Sequence, residues 1–407
     1  MKKKKVLTLC AAFLLAFTMT ACSGGQSGAG STAAETAASA SEESAAAETT
    51  TPAAEESASD TQEASSETAE TETGTEDAQA AVPTEDRVGN PITIPEEVNS
   101  IISLAPATTQ ILCDLGLADK IVAVDSNSPM YAEGLSEDVL QFNMMEPDLE
   151  QIMNAEADIV FVSNMSSQGG EDIFKSVRDA GVCVAEIPTS NSIADVEKDV
   201  QFVADCVGMS AEGSELVAGM EAVIGQVSAI GETITEPKTV LFEISPVPYL
   251  YSFGTGVYLN EMIELIGAKN VLADQEGWLS VTEESAVAAN PDVILTSDNF
   301  SNEDPVAEIL GREGWQNVTA VAEGQVAYID NAASSLPNHH IVDALVEMAK
   351  AVYPDAYAEL DQKKTTYHTY FHLPCRADGG GGSGKRADVS RRHSCDSGAS
   401  AFFPSAS

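Results

Sequence analysis

The chain has 407 residues, 64 acidic against 20 basic, for a net charge of −44 at pH 7. Between residues 84 and 358 nine bases face 46 acids, a net of −37; no basic stripe exists to neutralise phosphates, which excludes nucleic-acid binding. Both ends have the composition of unfolded chain, leaving residues 83–360 for two lobes with cores of their own.

In chain order, four lysines at 2–5 precede an apolar run over 6–17 that is too short to span a bilayer, and Met19-Thr20-Ala21-Cys22 is a small-residue cleavage site. Residues 1–21 are therefore a signal peptide. The site resembles the lipobox of bacterial lipoproteins, with Met19 where leucine is usual, and the resemblance implies acylation of Cys22 and anchoring at the outer face of the cell membrane. Residues 22–82 are rich in Ala, Ser, Thr and Glu; from 23 onward they hold thirteen acids, no Lys or Arg and no aromatic side chain. Such a segment cannot offset its ordering entropy and should remain a disordered tether reaching about 40 Å. With Cys10 removed and Cys22 acylated, the core cysteines are Cys113, Cys183 and Cys206, an odd number in apolar settings, which predicts free buried thiols.

Within the folded part, strands are predicted at 98–104, 121–124, 158–162 and 182–187. A turn at 105–108 starts a helix over 109–115, and further helices fall at 148–154, 172–180 and 193–207. Strands alternating with helices imply a parallel sheet, here in a first lobe over 83–207. A long helix at 210–230 occupies a connecting segment, 208–236. The second lobe, 237–360, repeats the scheme with strands at 239–245, 292–296 and 325–329 and helices at 258–266, 284–289, 306–312 and 338–353. Residues 361–407 contain GGGGSG and a basic excess and form an atypical tail expected to be disordered.

An internal echo supports two similar lobes. WLSVTEESAVAANPDVILTS (278–297) aligns with MMEPDLEQIMNAEADIVFVS (144–163), pairing Glu284 with Glu150, Asp292 with Asp158 and Ser297 with Ser163. In each copy a glutamate opens a short helix and an aspartate leads into an apolar run of the kind a strand buried on both faces needs. Ligands of open parallel sheets sit beyond the carboxyl ends of the strands, so the loops 105–108, 126–131, 163–167, 246–255 and 296–299 should line a cleft between the lobes. They carry aromatic and thioether side chains and no Lys or Arg; Arg87, Lys175, Arg178, Lys198 and Arg312 are assigned to sites away from the carboxyl ends. The candidate ligand-binding residues are Pro106, Tyr131, Met144, Met145, Tyr249, Tyr251, Phe253 and Trp278. A cleft without cations disfavours anionic ferric catecholates and citrates and suits a large ligand that is neutral overall.

The runs SIISLAPATTQILCDLGLADKIVAVD (100–125), YLNEMIELIGAKNVLAD (258–274) and HHIVDALVEMAKAVYPD (339–355), with the paired glutamate-to-aspartate units, resemble the iron-siderophore, haem and cobalamin binding proteins of bacterial ABC importers. The resemblance implies an α/β fold of two Rossmann-like lobes with parallel sheets, joined by a single long helix with little hinge motion. It also implies a small-molecule ligand in the cleft between the lobes, and delivery to a permease and its ATPase by a monomer. By the same resemblance Glu150 and Glu284 dock into the permease, although a glutamate in a first helical turn also simply complements the helix dipole. Trp278 lies where cobalamin-binding relatives place an aromatic against the ligand; a corrinoid is the first expectation and an uncharged ferric siderophore of the hydroxamate type the second. Gln110 and Ala157 depart from the acid and the proline usual at their positions.

Three other classes compete. An importer protein for free manganese or zinc needs several His and carboxylate ligands converging in the cleft, whereas the core offers only His339 and His340. An enzyme is disfavoured because the chain has no GxSxG, GxxxxGK[ST] or HExxH motif and no histidine in its first lobe; no catalytic residue and no cofactor are assigned. A ligand sensor feeding a signalling partner remains the third reading.

Overall fold

The computed structural model describes residues 82–166 and 172–360. The expected signal peptide, Cys22, nearly all of the expected tether and the expected tail lie outside the described residues. The first half of the folded chain runs β1 (Ile101–Ser103), α1 (Pro106–Asp114), β2 (Ile121–Asp125), α2 (Ser128–Tyr131), β3 (Leu140–Phe142), α3 (Leu149–Asn154), β4 (Ile159–Ser163), α4 (Lys175–Asp179), β5 (Cys183–Ile187) and α5 (Ile193–Cys206). After α6 (Ser210–Gly231) follow β6 (Thr239–Glu243), β7 (Tyr251–Phe253), α7 (Tyr258–Leu265), β8 (Lys269–Asn270), β9 (Trp278–Ser280), α8 (Glu283–Ala289) and β10 (Val293–Thr296). The described chain closes with α9 (Pro305–Gly311), α10 (Thr319–Ala322), β11 (Val326–Tyr328), α11 (Asn331–Ser335) and α12 (Ile341–Val352).

Two parallel sheets result, ordered β3-β2-β1-β4-β5 and β11-β10-β6-β8. Matching β1 with β6 and β4 with β10 makes β2-β1-β4-β5 and β8-β6-β10-β11 the same order, and the second sheet has no counterpart of β3. The strands of both sheets precede or follow α6 without exception, so one helix of 22 residues, about 33 Å long, connects them. Gly231 lets that helix end hard against α7, because a Cβ there would lie 2.1 Å from the carbonyl of Leu265.

The sequence echo is a structural repeat in detail. Asp148 and Thr282 cap α3 and α8 by accepting from the backbone N–H three residues on, which puts Glu150 and Glu284 at the same second helical position. Six residues later come Glu156 and Asn290, the two non-glycine residues with positive φ among the described residues, at 48° and 46°. Two residues beyond, each aspartate clamps the start of the neighbouring strand. Asp158 accepts from the N–H groups of Asn99 (2.8 Å) and Ser100 (3.0 Å); Asp292 accepts from the N–H and hydroxyl of Thr239, both at 2.8 Å.

Several boundaries differ from expectation. The predicted turn 105–108 is the first turn of α1, since Pro106 pre-sets the helical φ at its first position. The sequence expectation lacks the short elements α2, β8, α10 and α11, the edge strand β3, and the antiparallel ribbon of β7 with β9, which pairs Phe253 with Trp278. The three core cysteines are free thiols, Cys183 and Cys206 buried and Cys113 half-buried; burial pushes Cys113 up to about 12 and Cys183 to about 11.

Asp158→Ala and Asp292→Ala each strand a pair of strand-end donors and should lower unfolding stability by about 1–3 kcal/mol. Urea titration should show an earlier midpoint with an unchanged slope; an unaltered midpoint for Asp292→Ala would deny the clamp its structural role.

Candidate functional site

Between the two sheets lies a cavity of about 200 Å³. Its first-lobe wall comes from the start of α1 (Ala105–Thr108), from Met144, from Ser163–Met165 after β4 and from Ile187–Ser190 after β5. The second lobe contributes Tyr258, Trp278 and the segment Ser335–Pro337. The wall is mostly apolar and includes no Lys or Arg.

Of the eight expected ligand residues, Pro106, Met144 and Trp278 line this cavity. Trp278 is half-buried and is the centre of an aromatic group: Tyr251 stacks on it (6.4 Å between ring centroids, 6° between planes), and Tyr258 (6.4 Å, 69°) and Phe253 (5.9 Å, 77°) meet it edge-on. Tyr251 is therefore at the site through Trp278, 37% exposed, without lining the cavity. Phe253 is a correction. Packed beneath Trp278 and against Phe242 (5.6 Å), it is fully buried and is a core residue. Tyr249, at 73% exposure, projects from the turn after β6, and Met145 is half-buried outside the cavity wall. Tyr131 also misses the wall; its carbonyl accepts from Gln110 Nε2 (3.0 Å), and burial together with the charge of Asp330 raises its phenol above the ordinary range.

The loops after β2, β6 and β10 do not line the cavity either; Ser128 in the first and Ser297 and Asp298 in the last are buried. They display apolar tips instead: Met130 (64% exposed), Tyr249 and Phe300 (69%). Met165, Tyr251 and Tyr328 add further exposed apolar surface in or beside carboxyl-end loops.

Tyr258, Ser190, Leu336 and Pro337 extend the wall beyond the expected residues. The carboxyl-end rule applied to β5 would reach 187–190; nothing in the sequence marks Leu336 or Pro337. Two arginines are held in ion pairs, and one of them reaches the cavity wall through its partner. Arg87 bonds Asp199 (2.5 Å), a cavity-wall carboxylate that also accepts from Ser190 (2.7 Å). Arg312 makes a bidentate bond to Glu243, the last residue of β6 (2.8 and 2.9 Å), and a second pair to Glu308. Each guanidinium is matched by carboxylate, so the cleft gains no net positive charge from either.

Gln110 gains a role from the structure. Its amide oxygen accepts from Asn338 Nδ2 (2.6 Å) while its nitrogen donates to Tyr131, linking α1 to the segment ahead of α12; a carboxylate could not make the second bond. Beside it, Asp114 receives His339 Nε2 (3.0 Å) and His340 Nε2 (2.8 Å), the one cluster of three metal-capable side chains among the described residues. It does not line the cavity. Burial alone would raise Asp114, but the bonds from the two imidazoles hold it well below the carboxylate range. His340 would fall with burial, yet Asp114 and Asp343 push it up to about 9, while burial keeps His339 low.

Glu150 and Glu284 are exposed, and neither side chain has a hydrogen-bond or salt-bridge partner among the described residues. Glu283, one position from Glu284, instead turns inward to accept from the indole of the fully buried Trp315 (2.8 Å).

Residues 101–333 match the periplasmic binding protein family. An uncharacterized ABC transporter substrate-binding lipoprotein of Bacillus subtilis (strain 168), YvrC, is 30% identical over 280 residues, 68% of this chain and 87% of that one. A cobalamin-binding protein of Halobacterium salinarum is 22% identical over 267 residues, covering 64% and 71%. The molybdate-bound structure of MolA from Haemophilus influenzae superposes with a TM-score of 0.61 at 23% identity, over 72% of this chain and 97% of that one, and shares the fold.

Proposed function

The chain belongs to the periplasmic binding protein family, as the extracytoplasmic, non-enzymatic substrate-binding component of an ABC transporter, and we propose that its ligand is a large molecule without net negative charge, a corrinoid first and an uncharged ferric hydroxamate second. The observation that carries this reading is the pairing of a cation-free cleft with apolar side chains left bare on the carboxyl-end loops. Met130, Met165, Tyr249 and Phe300 are each at least half exposed, an arrangement that costs solubility unless a ligand covers it. The enclosed 200 Å³ is below the roughly 300–1,000 Å³ of ordinary small-molecule sites. A ligand of this size therefore rests across the mouth, stacked on Trp278 and Tyr251, with only an edge inside.

The small cavity also favours a second reading, an oxyanion such as the molybdate of the Haemophilus relative, held at the start of α1. Asp199 in the wall and Pro106, which removes one N–H donor, count against it. The panel of cobalamin, ferric hydroxamates, ferric catecholates and molybdate separates the readings by thermal shift and by fluorescence. The chain has two tryptophans and Trp315 is sealed, so ligand quenching reports Trp278. Cobalamin or a hydroxamate should bind with little dependence on ionic strength, and Trp278→Ala should weaken it roughly tenfold or more. Tight, salt-sensitive binding of molybdate or a catecholate, indifferent to Trp278→Ala, would replace this assignment.

Docking to the permease is proposed for Glu150 and Glu284, on the strength of their equivalent, exposed and unpaired positions on the two lobes. The double Glu→Arg variant should abolish uptake while ligand affinity stays unchanged; transport at the normal rate would refute the assignment.

Anchoring is proposed through Cys22, supported by the apolar run and small-residue site before it and by the lipoprotein relative. Cys22→Ala should move the protein from the membrane to the soluble fraction, and unaltered fractionation would rule the anchor out.

A further inference from the structure

Away from the cleft, Asp114 is the last residue of α1, and His339 and His340 immediately precede α12. Consecutive side chains ordinarily diverge, yet these two imidazoles lie 4.2 Å apart between centroids, tilted by 36°, and both turn Nε2 to the same carboxylate oxygen. The turn that achieves this is built. The side-chain oxygen of Asn338 accepts from the N–H of His340 (2.9 Å), and its amide nitrogen is fixed by Gln110 on α1.

We propose that Asp114, His339 and His340 form a binding site for a divalent transition metal of the zinc class, bracing the two lobes beside the ligand cleft. Three ligand atoms already converge within 4.8 Å of one another. A tetrahedral ion with bonds of about 2.0 Å needs ligand atoms about 3.3 Å apart, so edges of 2.8 and 3.0 Å must open by only a few tenths of an ångström. Asp343 Oδ2 stands 3.3 Å from His340 Nδ1, the outer carboxylate that fixes the tautomer presenting Nε2 to a metal. His339 is sealed, whereas Asp114 and His340 keep 38% and 24% of their side chains exposed, which leaves an entry path and a fourth position for water. Two imidazoles and one carboxylate suit zinc, cobalt, nickel or copper and not calcium or magnesium. Metal entry displaces the Nε2 proton of the charged His340 to solvent while its Nδ1–H stays on Asp343; neutral His339 keeps its one proton, moved from Nε2 to Nδ1. Leu336 and Pro337, three and two residues before His339, line the cavity, so an ion here would stiffen one wall of the cleft.

The test uses the full chain, freed of metal by chelation and titrated with cobalt(II). One equivalent should give the visible d–d bands of a four-coordinate site, zinc should displace it, and zinc should raise the thermal midpoint. Asp114→Asn and His340→Gln should each weaken binding by roughly tenfold or more, at least what losing a supporting residue costs, and abolish the zinc-induced rise. The chain also holds His368, His372, Cys375, His393 and Cys395, so zinc X-ray absorption of the unaltered protein provides a measurement that no variant's folding can spoil. A nitrogen and oxygen shell supports the site. A sulfur shell, or cobalt binding equal in both variants, overturns it.

Discussion

Both principal sheets are parallel, and their central strands are buried on both faces: β1, β4, β5, β6 and β10 show almost no accessible residue along their length. That single constraint orders the molecule. Faces so covered cannot bind anything, which leaves polar and ligand-facing groups only the strand ends. At the amino ends the chain spends carboxylates on structure, with Asp158 and Asp292 holding neighbouring strands in place. At the carboxyl ends it presents the cavity and the exposed apolar tips.

Charge is divided in the same way. The surface is overwhelmingly acidic, while two arginines are matched by carboxylate: Arg312 by Glu243 and Glu308 with its guanidinium over Trp315 (4.7 Å), and Arg87 by Asp199 of the cavity wall. Removing one partner of such a buried pair leaves an uncompensated charge, so these arginines are not free to be recruited by an anionic ligand. The cleft's neutrality is thus a product of internal pairing as much as of composition.

The repeat could be read from the sequence because it is local. Cap, glutamate, left-handed residue, aspartate and apolar run fall within sixteen residues, and each has its own chemical signature. The ribbon of β7 and β9 could not be, since its strands are separated by α7 and β8 and pair by tertiary contact alone. That pairing explains why Trp278 and Phe253, both expected at the cleft, part company: cross-strand partners, one lines the cavity wall and the other lies sealed beneath it. Arg312 escaped in the same manner, its partner Glu243 lying 69 positions away. The loop after β5 was legible by the rule that placed the others.

The single helix between the sheets has a consequence for how a transporter tells a loaded carrier from an empty one. With α6 as the sole covalent link, opening the lobes widely would mean bending a continuous 22-residue helix and disturbing the core it shares with α5, α7 and α12. Loaded and empty forms then differ little in outline, and shape offers the permease a poor signal. Under the proposed reading it is the texture of the mouth that would change: bare methionine and aromatic tips when empty, a ligand's own polar rim when filled. Discrimination on that basis would make the cargo part of the docking surface, so that a misfit ligand could be captured firmly and still fail to be handed on.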